Sequence, residues 1–337
     1  VLGETLDIGI RNMLDKLGRE LGMPFPAGPK IEKLARGELI QGVQEKEVDH
    51  IKFLDLPYSV KGMDVSFSGI MTAAMALKEK GHDIPSICHS VQETCFSMLC
   101  EVAERAMAHI GADEVLLGGG VACNSRLQEM VSQMASQRDA RSFAPPRGLL
   151  VDNGAMIAFL GEIMFRSGIS HKMEETVIDQ KFRTDHVDVT WKEMKEIGLI
   201  SSPGVMDISV GEVPEIGSII GKGAEAVVRV DQYGEYPVVI KQRRPKSYRI
   251  DELERRLSSA RIKKEVKMLK TIRDTGIRTP YVIDLDLDDM SIKMEFLKGP
   301  RLASQLNVLG ENDQKHYISR MGEVLGKLHR NDIVHGD

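Results

Sequence analysis

Between residues 114 and 124 the chain reads Glu114-Val115-Leu116-Leu117-Gly118-Gly119-Gly120-Val121-Ala122-Cys123-Asn124. Its first four residues form a short apolar run, which predicts a buried strand. The three glycines permit a tight turn, and a helix is predicted to begin at about Asn124. A strand, a glycine-rich turn and a helix start in this order are typical of nucleotide-binding α/β domains, where backbone N–H groups at the helix start face a phosphate.

The segments on either side continue this alternation of strands and helices. Apolar residues recur at helical spacing between residues 91 and 110, and Gly111 is placed to end that helix. Another apolar helix is predicted after Gly154. We therefore assign residues 1–190 to one α/β domain.

Composition limits the class of protein. The 337 residues suffice for two domains with separate cores, and 42% hydrophobic against 28% charged residues indicates globular folding. No apolar run reaches the roughly 18 residues of a membrane span, so no membrane partner is expected. The cysteines have no metal-binding spacing and are interpreted as buried thiols in a cytoplasmic protein: Cys88, Cys95, Cys100 and Cys123.

The second half of the chain has a different pattern. A linker is predicted over residues 191–210, where Ser201-Ser202-Pro203-Gly204 is a turn signal. Residues 227–230 and 236–240 alternate like paired strands around Tyr233-Gly234-Glu235. A basic helix over 253–273, strands over 282–287 and 292–296, and a helix over 311–329 are predicted to follow.

Four signals stand in protein-kinase order within residues 211–337. They are the glycine-rich loop Gly221-Lys222-Gly223-Ala224-Glu225-Ala226, the strand Val238-Val239-Ile240-Lys241, the helical Glu265, and the final His335-Gly336-Asp337. Such a loop lets backbone N–H groups approach phosphates, a strand lysine binds them, and an Asp two residues after a His accepts a proton. The signals together predict an α+β protein-kinase-like domain, although each alone has an ordinary structural explanation.

The basic residues around the strand lysine resemble a particular kinase family. The run Lys241-Gln242-Arg243-Arg244-Pro245-Lys246-Ser247-Tyr248-Arg249, with Arg261-Ile262-Lys263-Lys264-Glu265, resembles the small atypical kinase of the KEOPS complex. The resemblance implies an ATPase and weak Ser/Thr kinase that supports tRNA modification, with ATP and Mg²⁺ as ligands. It implies that the loop 221–226 and Lys241 bind ATP, that Glu265 orients Lys241, and that Asp337 is the general base.

The first half resembles the partner enzyme of that kinase. Gly118-Gly119-Gly120-Val121-Ala122-Cys123-Asn124 and Val151-Asp152-Asn153-Gly154-Ala155-Met156-Ile157-Ala158 are similar to the enzyme that makes threonylcarbamoyladenosine in tRNA, which has the actin-like ATPase (ASKHA) fold. Archaea often carry both enzymes as one chain. The resemblance implies transfer of threonylcarbamoyl from threonylcarbamoyl-AMP to N6 of the adenosine next to the anticodon, with tRNA and other KEOPS subunits as partners.

The same resemblance implies roles for five residues. Asp15, Gly28 and Glu32 would contact the sugar and phosphate side of threonylcarbamoyl-AMP, and Asn124 would hold the nucleotide. Asp152 would be one ligand of a catalytic iron (Fe²⁺) or zinc ion.

The chain departs from this family at its metal site. The family's His-x-x-x-His pair is not present, and we interpret His82 and His89 as structural or surface residues. Because Val1 is not Met and the chain stops at Asp337, we interpret it as a fragment truncated at both ends. As printed, it is expected to bind metal poorly and to be inactive in transfer.

Other interpretations remain. The chain could be an inactive regulatory or scaffold module of the complex, without either active site. A small-molecule kinase of the actin-like fold does not explain Val151-Asp152-Asn153-Gly154-Ala155 together with the basic helix, and an endopeptidase is excluded because no His-Glu-x-x-His occurs.

Residues 241–273 hold thirteen Lys or Arg against four Asp or Glu, which indicates either a solvated face or a phosphate-binding surface with salt-dependent tRNA affinity.

Overall fold

The structure, a computed structural model, describes residues 1–44, 48–151, 153–183, 186–191, 213–299, 302–306 and 308–334. The chain divides into two compact units. The first consists of Val1–Ser201 and Ser247–Arg249, and the second of Ser202–Lys246 and Ile250–Asp337. The boundaries at 190 and 211 stay a prediction, because residues 192–212 lie outside the described ranges.

In its described residues the first unit is mainly helical, with two small sheets. β1 and β2 pair antiparallel, while β3 and β4 pair parallel. Short 3-10 turns occupy Gly120–Cys123 and Met173–Glu175. In chain order the elements are α1 Ile10–Glu20, α2 Gly28–Ala35, β1 Val60–Lys61, β2 Asp64–Val65, α3 Ser68–Glu79, α4 Ile84–Ile110, β3 Glu114–Leu116, α5 Ser125–Ser136, β4 Arg141–Phe143, α6 Arg147–Leu150 and α7 Gly154–Arg166.

Helix α4 runs through the core of the first unit. Asp83 caps its start by accepting a hydrogen bond from the backbone N–H of Ser86 at 2.8 Å, so the helix begins well before residue 91. It ends at Gly111, whose φ of 65° is the left-handed conformation that glycine adopts most easily. The predicted helix and its glycine end are therefore confirmed. Buried side chains of α1, α2, α3 and α5 complete the same core.

The predicted burial of the first strand was wrong. β3 forms where the sequence predicted a strand, but the Leu116 side chain is 69% exposed. Among the described residues β3 pairs with β4 alone, and a parallel strand is buried only when both faces of its sheet are covered. The predicted apolar helix after Gly154 is present as α7, and its Ile157 is 68% exposed. An apolar run predicts a strand or helix but does not reveal what covers it.

Ser247–Arg249 belong to the core of the first unit, although no sequence pattern indicated this. The Tyr248 side chain is fully buried there, and burial raises the pKa of its hydroxyl well above the ordinary value. The guanidinium of Arg249 donates to the carboxylate of Glu101, and both side chains are nearly fully buried. This buried pair and the tyrosine anchor the three residues in place.

Asp7 stabilises the start of α3. Its carboxylate accepts backbone N–H hydrogen bonds from Ile8 at 2.6 Å, Phe67 at 2.9 Å and Ser68 at 3.0 Å, and another from the Ser68 hydroxyl. Partial burial raises the pKa of this carboxyl, but the hydrogen bonds from Ser68, Phe67 and Ile8 outweigh it and lower the pKa to about 2.

We expect Asp7 to make the stability of the first unit depend on pH. A carboxyl whose pKa is lowered on folding stabilises the fold above its unfolded pKa of roughly 4 and loses that contribution as pH falls towards 2. Asp7→Asn should therefore be less stable than wild type at pH 6, and the difference should shrink between pH 4 and pH 2. Unfolding temperatures over this range measure it. The exposed Asp113→Asn is the control, and a difference independent of pH would contradict the expectation.

The second unit is built on a five-stranded antiparallel sheet in the order β5-β6-β7-β9-β8. Helix α8 packs on this sheet, with Ile262 and Val266 against Val230, Ile292 and Met294. The β6–β7 hairpin turns at Gly234, with φ of 61°, where the sequence predicted a turn. The elements are β5 Ile219–Lys222, β6 Ala226–Tyr233, β7 Tyr236–Arg243, α8 Asp251–Asp274, β8 Val282–Asp286, β9 Ser291–Glu295, α9 Leu302–Gln305 and α10 Glu311–Arg330.

Candidate functional site

A cavity of about 240 Å³ lies in the first unit between α1, α2 and the start of α5. Its wall includes all four residues that the sequence analysis assigned to threonylcarbamoyl-AMP, namely Asp15, Gly28, Glu32 and Asn124. They come from widely separated parts of the chain, and the fold brings them together. Their roles in binding stay predictions.

The approach of α1 to α2 shapes one side of this cavity. The Asp15 carboxylate accepts a hydrogen bond at 2.9 Å from the backbone N–H of Ala27, directly before α2. Gly18 permits the approach, because a Cβ there would lie 2.1 Å from the Cβ of Ala27. Asp15 and Gly28 are thereby held on adjacent walls of the cavity.

The start of α5 forms the opposite side of the cavity. The first backbone N–H groups of this helix donate hydrogen bonds to side chains of the protein itself. The side-chain Oδ1 of Asn124 accepts from Arg126 N at 2.9 Å and from Leu127 N at 3.2 Å, as a helix N-cap does. The Glu32 carboxylate accepts from Ser125 N at 2.9 Å. A ligand phosphate at these groups would have to displace Asn124 and Glu32. This differs from the expectation that the helix start itself faces a phosphate.

Two arginines also line the cavity and were not assigned a role from the sequence. Arg11 lies one turn before Asp15 on the same face of α1, and Arg147 begins α6. Guanidinium groups bind phosphate, while carboxylates accept hydrogen bonds from sugar hydroxyls. The spacing of Arg11 and Asp15 was a signal that could have identified the first of them.

A buried ion pair holds the start of α5 in position. Arg126 donates from Nε and Nη2 to the two carboxylate oxygens of Glu93 on α4, both at 2.8 Å, and the Glu93 side chain is only 2% exposed. The hydrogen bonds that Arg126 donates to Glu93 raise the pKa of Arg126, so this guanidinium stays charged. On the same helix, Gln92 accepts from the amide nitrogen of Asn124 at 2.9 Å. The orientation of Asn124 thus depends on two residues of α4.

The cysteines differ in their exposure. Cys88, Cys95 and Cys100 are buried in α4, and burial raises their thiol pKa values, that of Cys88 to about 12. Cys123, which was also predicted to be buried, is only partly so and lines the cavity. Cys123 is therefore the most accessible thiol of the four. A reagent that modifies cysteine has to reach the sulfur, so Cys123 is the one expected to react.

The second unit brings Lys241 and Glu265 together. Lys241 Nζ lies 2.6 Å from Glu265 Oε1, which joins β7 to α8 as the sequence analysis expected. Of the glycine-rich loop, Gly221 and Lys222 lie in β5, Gly223, Ala224 and Glu225 form the connection, and Ala226 begins β6. Their roles towards ATP stay predictions.

The metal and proton-transfer assignments have no described geometry. Asp152 and Asp337 both lie outside the described residues. Within the described part of the chain there is no group of three His, Cys, Asp or Glu residues that could hold a metal ion. His82 is exposed after α3, and His89 is partly buried on α4, in line with their interpretation as structural or surface residues. No described helix is long and apolar enough to cross a membrane.

Two family models match the chain. Residues 1–159 match TsaD, described as tRNA N6-adenosine threonylcarbamoyltransferase, and residues 230–337 match RIO1, described as a RIO domain. The chain therefore belongs to the proteins that join a TsaD domain to a RIO kinase-like domain. This confirms the predicted family and fold class.

Curated relatives with this domain pair are named probable bifunctional tRNA threonylcarbamoyladenosine biosynthesis proteins. The chain is 42% identical to the one from Methanocaldococcus jannaschii over 338 residues. It is 40% identical to the one from Thermoplasma acidophilum and 39% identical to the one from Methanosarcina acetivorans. In each comparison the whole chain is covered, and it spans 57% of the length of the relative.

Proposed function

We propose that the chain is part of a bifunctional protein of tRNA threonylcarbamoyladenosine biosynthesis. The first unit would transfer threonylcarbamoyl from threonylcarbamoyl-AMP to N6 of the adenosine next to the anticodon of tRNA. The observation that carries this proposal is that Asp15, Gly28, Glu32 and Asn124 meet in one cavity. The relatives at about 40% identity carry the same function in their names.

The charges around the cavity suit an acyl-adenylate. Asp15 and Glu32 would accept hydrogen bonds from the ribose hydroxyls, and Arg11 and Arg147 would face the phosphate. In the transfer, the N6 amine forms a bond to the carbamoyl carbon and releases one proton to water. The bond from that carbon to the phosphate oxygen breaks, and AMP leaves with the added negative charge. Positive groups beside the phosphate would stabilise the charge as it develops.

We propose Asp152 as one ligand of an iron or zinc ion in the transferase domain. Such an ion supplies Lewis-acid polarisation when it is bound. The described residues do not form a metal-binding group, so we assign no step of the transfer to the ion.

The second unit would be an ATPase and Ser/Thr kinase that supports the transferase within the KEOPS complex. Lys241 would bind ATP phosphates, Glu265 would hold Lys241, and Asp337 would be the general base, with Mg²⁺ bound to the nucleotide. The observation that supports this assignment is the 2.6 Å Lys241–Glu265 pair on a five-stranded sheet. Other KEOPS subunits and tRNA are the proposed partners, in the cytoplasm.

Alkylation of Cys123 tests the nucleotide site without requiring catalysis. AMP, the product of the transfer, should slow the reaction of Cys123 with iodoacetamide by about tenfold at roughly ten times its Kd, because occupied sites shield the thiol. Cys88, Cys95 and Cys100 are internal controls, because their buried thiols should stay unmodified with and without AMP. Mass spectrometry of the peptides measures all four.

The Glu32→Gln variant tests whether Glu32 itself contributes to AMP binding in the same experiment. It should need a higher AMP concentration for equal protection, since Gln replaces a charged acceptor with a neutral one. Equal alkylation of the wild-type protein with and without AMP would contradict the nucleotide site and favour a scaffold module. If AMP protects Cys123 equally well in the wild-type protein and in Glu32→Gln, Glu32 alone would be removed from the proposed nucleotide site.

A further inference from the structure

Hydrogen bonds join the glycine-rich loop of the second unit to the segment that follows β7. The backbone oxygen of Glu225 accepts a hydrogen bond from Arg244 N at 3.1 Å. Lys246 Nζ donates to the backbone oxygen of Ala224. Both contacts hold the loop by its main chain, so its side chains project from a defined position.

The Glu225 carboxylate bridges two guanidinium groups. Oε2 lies 2.7 Å from Arg243 Nη1, and Oε1 lies 3.4 Å from Arg261 Nη1. All three side chains are largely buried, at 27% exposure for Glu225, 13% for Arg243 and 24% for Arg261. Ion pairs that are partly shielded from water are stronger than exposed ones.

The two arginines stand beside the Lys241–Glu265 pair. Arg243 follows Lys241 by two residues in β7, so both side chains lie on one face of the sheet. Arg261 precedes Glu265 by four residues in α8, which places them on one face of the helix. Arg243 Nη2 also lies 3.4 Å from Glu265 Oε2. The cluster thus holds three cations, Lys241, Arg243 and Arg261, against the carboxylates of Glu225 and Glu265.

We propose that the Glu225 carboxylate takes the place of a nucleotide phosphate on Arg243 and Arg261, and that ATP displaces it. The proposal rests on the function proposed for the second unit. Carboxylate and phosphate oxygens bind guanidinium in the same forked geometry, and Glu225 lies in the loop that would cover the phosphates. Arg243 and Arg261 become phosphate-binding residues in addition to Lys241, and Glu225 becomes a competitor that lowers the affinity for ATP.

Titration calorimetry on the intact protein, with ATP and adenosine as probes, tests this displacement. Glu225→Gln should lower the Kd for ATP by about fivefold, since an ion pair of this kind no longer has to be broken. Arg261→Gln should raise the Kd for ATP by about fivefold, because one phosphate partner is lost. Neither change should alter the Kd for adenosine, which has no phosphate. The control is Arg255→Gln, an exposed arginine of the same helix, with an ATP Kd within about twofold of wild type.

The outcomes separate this inference from the function on which it rests. An ATP Kd that is unchanged or raised in Glu225→Gln would overturn the inference, because Glu225 would then only support the loop. An equal shift for ATP and adenosine would also overturn it. If the wild-type protein binds ATP and Lys241→Ala weakens that binding, the kinase assignment stands even when Glu225→Gln has no effect. A wild-type protein that does not bind ATP would overturn both.

Discussion

Lys241→Ala is expected to reduce ATP turnover by at least about 100-fold, because one preorganised positive group at a transferring phosphate contributes that much to the rate. Lys241 Nζ is held 2.6 Å from Glu265, which fixes the position of the cation. Alanine removes the cation, and no other lysine lies in this strand.

The fold should survive this replacement. Lys241 is not part of the apolar core between the sheet and α8. Glu265 retains a cationic partner in Arg243, at 3.4 Å, so its carboxylate is not left without a positive neighbour. The variant should therefore unfold within a few degrees of wild type.

The matched control is Lys263→Ala, an exposed lysine of α8, which should keep the wild-type rate. Phosphate release under saturating ATP and Mg²⁺ measures turnover, and circular dichroism checks the fold. An ATPase rate of Lys241→Ala equal to that of wild type would remove the kinase assignment. A variant that has lost its helical signal would instead show that Lys241 is structural.

Arg126→Leu is expected to destabilise the first unit by about 3–5 kcal/mol, because it leaves a buried carboxylate without its partner. Glu93 is 2% exposed, and both of its oxygens accept from Arg126 at 2.8 Å. Leucine supplies neither charge nor hydrogen-bond donor. Since Arg126 lies in the first turn of α5, the loss should also loosen Asn124 at the cavity.

Urea unfolding, with hydrogen exchange of the α4 and α5 amides to localise the change, measures this effect. Arg166→Leu is the matched control, because the Arg166–Glu162 pair is exposed and should contribute no more than about 0.5 kcal/mol. The double variant Glu93→Leu with Arg126→Leu should recover part of the stability, since no unpaired charge remains. A loss of less than about 1 kcal/mol in Arg126→Leu would mean that Glu93 is not the buried anion seen here.

Several helices and strands of both units were predicted from local signals, whereas α1, α2 and α3 were not assigned from the sequence. Gly111 marks the end of α4 and Asn124 the start of α5, because the preference of glycine and asparagine for these positions depends on a few neighbouring backbone groups. The β6–β7 hairpin follows from alternating apolar residues around Gly234. The order of the glycine-rich loop, Lys241, Glu265 and the final His335-Gly336-Asp337 predicted the kinase-like domain.

Burial could not be predicted in the same way. The apolar run of β3 predicted a buried strand, but Leu116 is largely exposed, as is Ile157 of the apolar helix α7. The core position of Tyr248, far along the chain from the rest of its unit, had no sequence signal. Burial depends on which distant segments cover a surface, and a local pattern contains no information about that cover.

Some residues of the candidate sites were identified from the sequence, and others were found only in the tertiary structure. The sequence by itself determined many of the helices and strands and, through the family resemblance, the candidate residues Asp15, Gly28, Glu32 and Asn124. Only the tertiary structure placed Arg11 and Arg147 in the same cavity, bound Arg126 to Glu93, and set Glu225 between Arg243 and Arg261. A helix cap or hairpin is decided by neighbours along the chain. A pairing of charges depends on three-dimensional distances that only the packed chain establishes.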